Sequence, residues 1–332
     1  MTVRRQQPAA VESRSRGIQS DAGASTPAAV DHVALTVVVV PFGGPDVLRN
    51  CLDALASQIN ASGAIEVVVP WPYTFGSVSN FAAGFPSVRF IEPTAVASHA
   101  GLRALGCDAA SGEILALTEA QCIPDSDWCS AIISAHSGKL ATIGGVVEKK
   151  VGKSAAEWAV YLADYGRYMN PMTEGPANSL SDVNVSYRTS ALHAVRATWA
   201  VEFHEHIVHS ALRDQGEPLW QSPRLVVRHH RPVRLADLMH ERFQHARAYA
   251  GTRVATAGFA TRFALAAASA VLPLLLILRV ALVVARKRRH AARFLIALPS
   301  LTVLAIAWSC GELAGYLTSN PGELAPLSEA RA

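Results

Sequence analysis

Apolar positions along the chain fall into three parts of different spacing. In the first part, short β-branched runs alternate with segments of helical period. Residues 33–40 read VALTVVVV and end at Pro41; a run of this kind predicts a strand buried on both faces. Gly43-Gly44-Pro45 opens a helix, with proline suited to its first turn, and Val47, Leu48, Cys51, Leu52 and Leu55 form one apolar stripe along it. Residues 65–69, 88–91 and 113–117 predict three more strands, and 99–111 predicts a helix with Leu102, Leu105 and Ala109 on one face, closed by Gly112. Strands alternating with helices imply βα units and a parallel sheet, with ligands beyond the carboxyl ends of the strands.

The middle of the chain is less regular. Residues 141–147, 182–187 and 224–229 predict strands, and 155–168 and 203–215 predict helices. Residues 235–253 predict an amphipathic surface helix with Leu235, Leu238, Met239 and Phe243 on one stripe. The last part is apolar throughout. Residues 263–285 carry one charge, Arg279, and residues 294–317 carry one, Glu312. Each run matches the about 20 residues that cross a bilayer core.

Composition places the greasiness in those runs. The chain has 332 residues, 50% apolar and 17% charged, against about 25% charged in ordinary domains; mean hydropathy is +0.21. A chain disordered throughout is excluded. Net charge is +4, and much of the excess lies between the two apolar runs in Arg286, Lys287, Arg288, Arg289 and Arg293. Such a cluster beside apolar spans suits anionic lipid headgroups; no nucleic-acid motif accompanies it. The five cysteines form no C-x-x-C, so a reducing compartment and a role as small buried hydrophobes are expected. Residues 1–31 lack the apolar core of a secretory signal and read as a disordered tail.

Several segments together resemble the family 2 glycosyltransferases, inverting enzymes of GT-A fold that use nucleotide-activated sugars. Residues 103–113, RALGCDAASGE, resemble the family pattern R-N-x-G-x-x-x-A-x-G-E, with Ala104 in place of Asn. Residues 117–124, LTEAQCIP, stand where the family has its acidic D-x-D turn, and Asn184-Val185-Ser186-Tyr187-Arg188 resembles its N-x-(A/S)-(F/Y)-R segment. Phe203-His204-Glu205-His206 resembles the acidic pair that holds the catalytic base, and the apolar tail resembles that of bacterial membrane-attached members.

The resemblance implies an α/β fold: a GT-A (Rossmann-like, mostly parallel sheet) domain at 33–234, an amphipathic interfacial helix at 235–258, a two-helix membrane hairpin at 259–318, and tails at 1–32 and 319–332. It implies a donor site at Pro41, Phe42, Arg103 and Asn184. Glu119, Gln121 and His229 would hold a divalent cation, Mg2+ or Mn2+, which offsets the charge growing on the leaving diphosphate. Gln121 gives that set one charge fewer than the family's. Glu205 or His206 would be the general base that takes the acceptor's proton; neighbours on a helix diverge by about 100°, so one of them faces the site. Trp71 follows the second strand where the family has an acid, and reads as a packing residue, with stacking on the donor as its alternative.

The expected partners are a nucleotide-sugar donor, a glycan or lipid-linked acceptor, and membrane lipids, with no nucleic acid. The alternatives are a degenerate GT-A domain that binds a nucleotide-sugar or a protein partner without catalysis, and a membrane-anchored scaffold. Cytosolic donors place the catalytic domain on the cytoplasmic face of the cell membrane. Two crossings then put the basic loop outside, against the positive-inside tendency. A crossing hairpin is the expectation, and a hairpin that only dips into one leaflet, helped by Pro273 and Pro299, is its alternative.

Overall fold

The computed structural model describes residues 32–62, 64–94, 97–150, 152 and 154–322. The tail expected at 1–31, and most of that expected at 319–332, lie outside these residues.

Chain order begins β1 (Leu35–Val40), α1 (Pro45–Ser62), β2 (Ile65–Pro70), α2 (Ser79–Ala82), β3 (Val88–Ile91), α3 (His99–Asp108) and β4 (Ile114–Glu119). These strands pair in parallel in the order β3-β2-β1-β4. β1 is buried on both sides, as its unbroken apolar run requires: Leu35, Val37 and Val39 join one core, and Val38 and Val40 the other. Leu48, Cys51, Leu52 and Leu55 of α1 pack on the first core, each leucine contributing about 1.5–3 kcal/mol by burial. α3 stops at Asp108, short of Gly112; of the expected face it buries Leu102 fully and Leu105 in part, and it adds Ala104 and Cys107. Gly112 serves a different need: a Cβ there would meet Thr36 N at 2.5 Å.

Next come β5 (Cys122–Pro124), α4 (Trp128–Ala135), β6 (Thr142–Lys149), α5 (Ala155–Asp164), β7 (Gly175–Pro176), β8 (Asn184–Arg188), α6 (Thr189–Ala194), α7 (Glu205–Asp214) and β9 (Leu219–His229). The sheet continues β4-β8-β6-β9-β5, with β7 on β9. β6 and β9 pair in parallel; β4–β8, β6–β8, β5–β9 and β7–β9 are antiparallel. Only Ala120 and Gln121 separate β4 from β5 in the chain, so the curled sheet brings its far edge back to the end of β4. The 155–168 segment is α5 followed by a 3-10 turn, Gly166–Tyr168. Four cysteines are buried and Cys310 is exposed, all of them free. Burial pushes the Cys51 and Cys129 thiols up to about 12, which suits small hydrophobes.

Four helices follow to the end of the described residues: α8 (Leu235–Arg253), α9 (Phe259–Ser269), α10 (Leu272–Lys287) and α11 (Ala291–Thr318). α11 is long and apolar enough to cross a membrane, whereas the expected first span is two helices bent by 54°. Hydropathy is blind to such a break; Pro273, near the start of α10, marks it. α8 buries Leu238, Ala246, Ala250 and Gly251. Met239, placed on its apolar stripe by spacing, is 40% exposed.

Candidate functional site

The end of β4 is the floor of an acid-rich cluster. Arg103 Nη2 donates to Glu119 Oε1 at 2.5 Å and to Asp182 Oδ2 at 2.7 Å. Its Nη1 lies 3.5 Å from Glu205 Oε2. Arg103 and Glu119 are buried, and about a third of the Asp182 and Glu205 side chains is exposed. Four parts of the chain meet here for topological reasons. α3 rests on β1 through Gly106, which leaves no room for a Cβ beside Val38. The antiparallel register Thr118↔Asn184 brings Asp182 beside the turn after β4. Glu205 opens α7.

Charge and burial compete within the cluster. Burial opposes the Arg103 charge, but Asp182 and Glu119 outweigh it and hold the guanidinium protonated. Burial raises the Glu119 carboxyl pKa, against the pull of Arg103. The second Glu119 oxygen accepts from Gln121 Nε2 at 2.6 Å, and that nitrogen also reaches the Tyr165 hydroxyl at 3.4 Å. Gln121 Oε1 is buried with no hydrogen-bond partner among the described residues. His99 Nε2 lies 3.3 Å from Glu119 Oε1. Burial, then the nearby Arg103 charge, holds this imidazole neutral, with its pKa down to about 3.

The expected donor residues divide. Arg103 sits at the centre. Phe42 lies at the rim, its ring 5.5 Å from His99 on one side and 4.6 Å from the Arg231 guanidinium on the other. Pro41 is buried at the end of β1. Asn184 is a clasp inside the sheet rather than a ligand group. Its Nδ2 donates to Val146 O and Leu225 O, and its Oδ1 accepts from Trp128 Nε1, each at 2.9 Å. Trp71 packs among Phe75, Phe81 and Phe90, with its Nε1 donating to Gly76 O at 2.7 Å.

Of the two base candidates, Glu205 turns towards Arg103. His206 is exposed, its ring 6.0 Å from that of His204. His229 is buried behind Tyr165, with ring centroids 4.8 Å apart, and burial drives its pKa well below 6.5. His99 and Asp182 escaped the sequence reading. His99 reads as an ordinary helix start, and Asp182 is brought to Arg103 by a strand pairing across 79 residues.

The arrangement can be tested against a divalent cation. Three carboxylates face one guanidinium, and Gln121 Oε1 is a buried acceptor in want of a donor. Both features fit an added cation at Glu119 and Gln121. Mg2+ is commonly held by one or two carboxylates plus substrate phosphates. Among the described residues no three His, Cys, Asp or Glu side chains are gathered to hold a metal, so the fit is to an ion whose shell the phosphates complete. His229, stacked behind Tyr165, stands apart from that pair.

No protein-family model matches the chain, and no curated protein matches it in sequence. The fold does match solved structures. A mannosyltransferase, PcManGT from Pyrobaculum calidifontis in complex with GDP-Man and Mn2+, is similar at a TM-score of 0.50 and 17% identity, over 85% of this chain and 87% of that one. TarS 1-349 from S. aureus gives a TM-score of 0.42 at 11% identity over 63% of each chain. The protein thus has a glycosyltransferase-like fold.

Proposed function

We propose that the protein is a membrane-attached glycosyltransferase of the inverting, family 2 type. It moves a sugar from a nucleotide-sugar donor to an acceptor hydroxyl, lipid-linked or on a cell-envelope glycan. Residues 33–234 are the catalytic domain, facing the cytoplasm; 235–258 lie at the membrane surface and 259–318 enter it. The observation that carries the reading is the convergence of Glu119, Asp182 and Glu205 on Arg103 at the carboxyl end of β4, where α/β sheets bind ligands.

Glu205 is the general base, accepting the acceptor's proton as its oxygen attacks the anomeric carbon. Arg103 holds that carboxylate in place. Asp182 and Arg103 orient the donor from one side, and Phe42 borders it at the rim. A divalent cation on Glu119 and Gln121 would offset the charge that grows on the diphosphate. His99, kept neutral, adds no second positive charge beside Arg103.

The test is turnover by the purified full chain with Mn2+ and a panel of nucleotide sugars. Release of nucleoside diphosphate from one donor, lost in Glu119→Ala, supports the reading. Nucleotide binding without release would favour the second reading, a domain that binds without catalysis; the missing charge at Gln121 speaks for it.

A further inference from the structure

We infer that α9, α10 and α11 enter a single leaflet, so that the basic turn between α10 and α11 stays on the same side of the membrane as the catalytic domain. This rests on the membrane attachment proposed above and fixes its geometry. A crossing hairpin needs that turn about 30 Å away, beyond the hydrocarbon core. Instead the turn is docked on the domain. Lys287 Nζ donates to Met169 O at 2.7 Å and to Pro171 O at 2.8 Å. Arg289 Nη1 donates to Glu148 Oε1 at 2.6 Å and to Asn170 O at 3.2 Å. The His290 ring lies 4.9 Å from that of Trp158.

α11 is held to the same body along its length. Ala297, Leu301 and Leu304 belong to the main core, together with Trp158, Ala159 and Leu162 of α5. Farther on, Gly311 and Gly315 lie against the α8 backbone, where a Cβ would collide with Phe243 O and Arg247 O. α8 is in turn tied to the domain by the Glu241–Arg231 and Arg242–Asp164 ion pairs. If α11 crossed the bilayer, α8 would be drawn in with its charges, each disfavoured at the centre of the bilayer. Neither α9 nor α10 spans alone: 11 and 16 residues reach only about 17 and 24 Å.

The outward face of these helices is apolar. Phe259 is 79% exposed, Leu274 68% and Leu295 65%. The occupant we assign to it is a leaflet bearing anionic phospholipid, and charge complementarity is the reason. Residues 259–318 carry seven Lys and Arg. Their one acid, Glu312, is buried and accepts from Trp308 Nε1 at 2.7 Å. Arg279 and Arg286, with Arg167, border a cavity of about 330 Å³ floored by Leu275, Leu278 and Leu282. Guanidinium groups above aliphatic side chains match phosphate above acyl chains.

The test uses the full chain with Cys310→Ser, and one added exposed cysteine placed either beside the turn at the start of α11 (Ala292→Cys) or on the domain (Lys139→Cys). Both replaced positions are exposed. Right-side-out and inverted membrane vesicles are treated with an impermeant maleimide. The inference expects both cysteines to label in the same preparation; labelling in opposite preparations overturns it and leaves membrane attachment standing. Flotation with vesicles of phosphatidylcholine, alone or mixed equally with phosphatidylglycerol, supplies the second arm. Preference for the anionic vesicles, weakened roughly thirtyfold in Arg279→Gln/Arg286→Gln, is expected. No flotation on either vesicle, with the protein a soluble monomer or dimer, overturns both this inference and the attachment.

Discussion

Arg103 donates to Glu119 at 2.5 Å with both side chains buried, and this pair joins the fold to the chemistry. Removing one partner of a buried pair leaves the other charge uncompensated, at a cost of about 3–5 kcal/mol. Arg103→Ala is therefore expected to lower stability by that amount in chemical denaturation. Asp182 and Glu205 are part-exposed and can hydrate, so Glu119 carries most of the penalty. Arg103→Met with Glu119→Leu should recover most of the lost stability while abolishing turnover.

Glu205 and His206 separate the two routes to a general base. Because Glu205 faces Arg103 and His206 faces solvent, Glu205→Gln should reduce kcat by about 10²–10⁴-fold with little change in donor KM. His206→Ala should leave kcat within a few-fold. The reverse pattern in steady-state kinetics would reassign the base.

Much of the fold was legible because it depends on local periodicity. The run ending at Val40 and the stripe through Leu48, Cys51, Leu52 and Leu55 are buried where their spacing puts them. The site was less so, because its contacts are long-range. Arg103 meets Asp182 through the pairing of β4 with β8, and no spacing in the sequence encodes that register. Asn184 shows the converse failure. The resemblance implies ligand binding there, yet three protein partners use its amide within the sheet. The bend before α10 was hidden for a third reason: an apolar run has the same hydropathy whether straight or broken.

Acid should weaken the protein through its buried histidines. Burial holds His99 neutral with a pKa of about 3, and His136 and His209 with values of about 4. In the unfolded chain these groups titrate near 6.5. Between about pH 6.5 and 4 the unfolded state therefore binds more protons, so stability falls as pH falls. Each group contributes about 1.4 kcal/mol per pH unit. Glu119 acts with opposite sign, because its raised pKa favours the folded state when protonated. A series of denaturation curves from pH 7 to 4.5 should show the histidine slope, and His209→Gln should reduce it.

Gly112 tests the close approach of the 109–113 turn to β1. A Cβ there would meet Thr36 N at 2.5 Å and Leu35 C at 2.9 Å, both backbone atoms of a central strand. Gly112→Ala should cost at least about 1–3 kcal/mol, as overpacking does. At Gly138 a Cβ meets nothing within 4 Å, so Gly138→Ala should stay within about 0.5 kcal/mol. Equal melting temperatures for the two variants would contradict the packing.

Gln121 offers the sharpest test of the cation. Its Nε2 donates to Glu119 at 2.6 Å while its Oε1 is buried without a partner. Gln121→Glu removes the donor and sets a second carboxylate beside the first. Without metal the two carboxylates repel, and the variant should melt below the wild type. With Mn2+ and a nucleoside diphosphate the added charge becomes a ligand, so the variant should regain more stability than the wild type gains. Mn2+ affinity measured by electron paramagnetic resonance should rise at least about tenfold, an effect well within what one extra charge at ligand distance supplies. A variant that loses stability and gains no Mn2+ affinity would show that the cation does not bind at Glu119 and position 121.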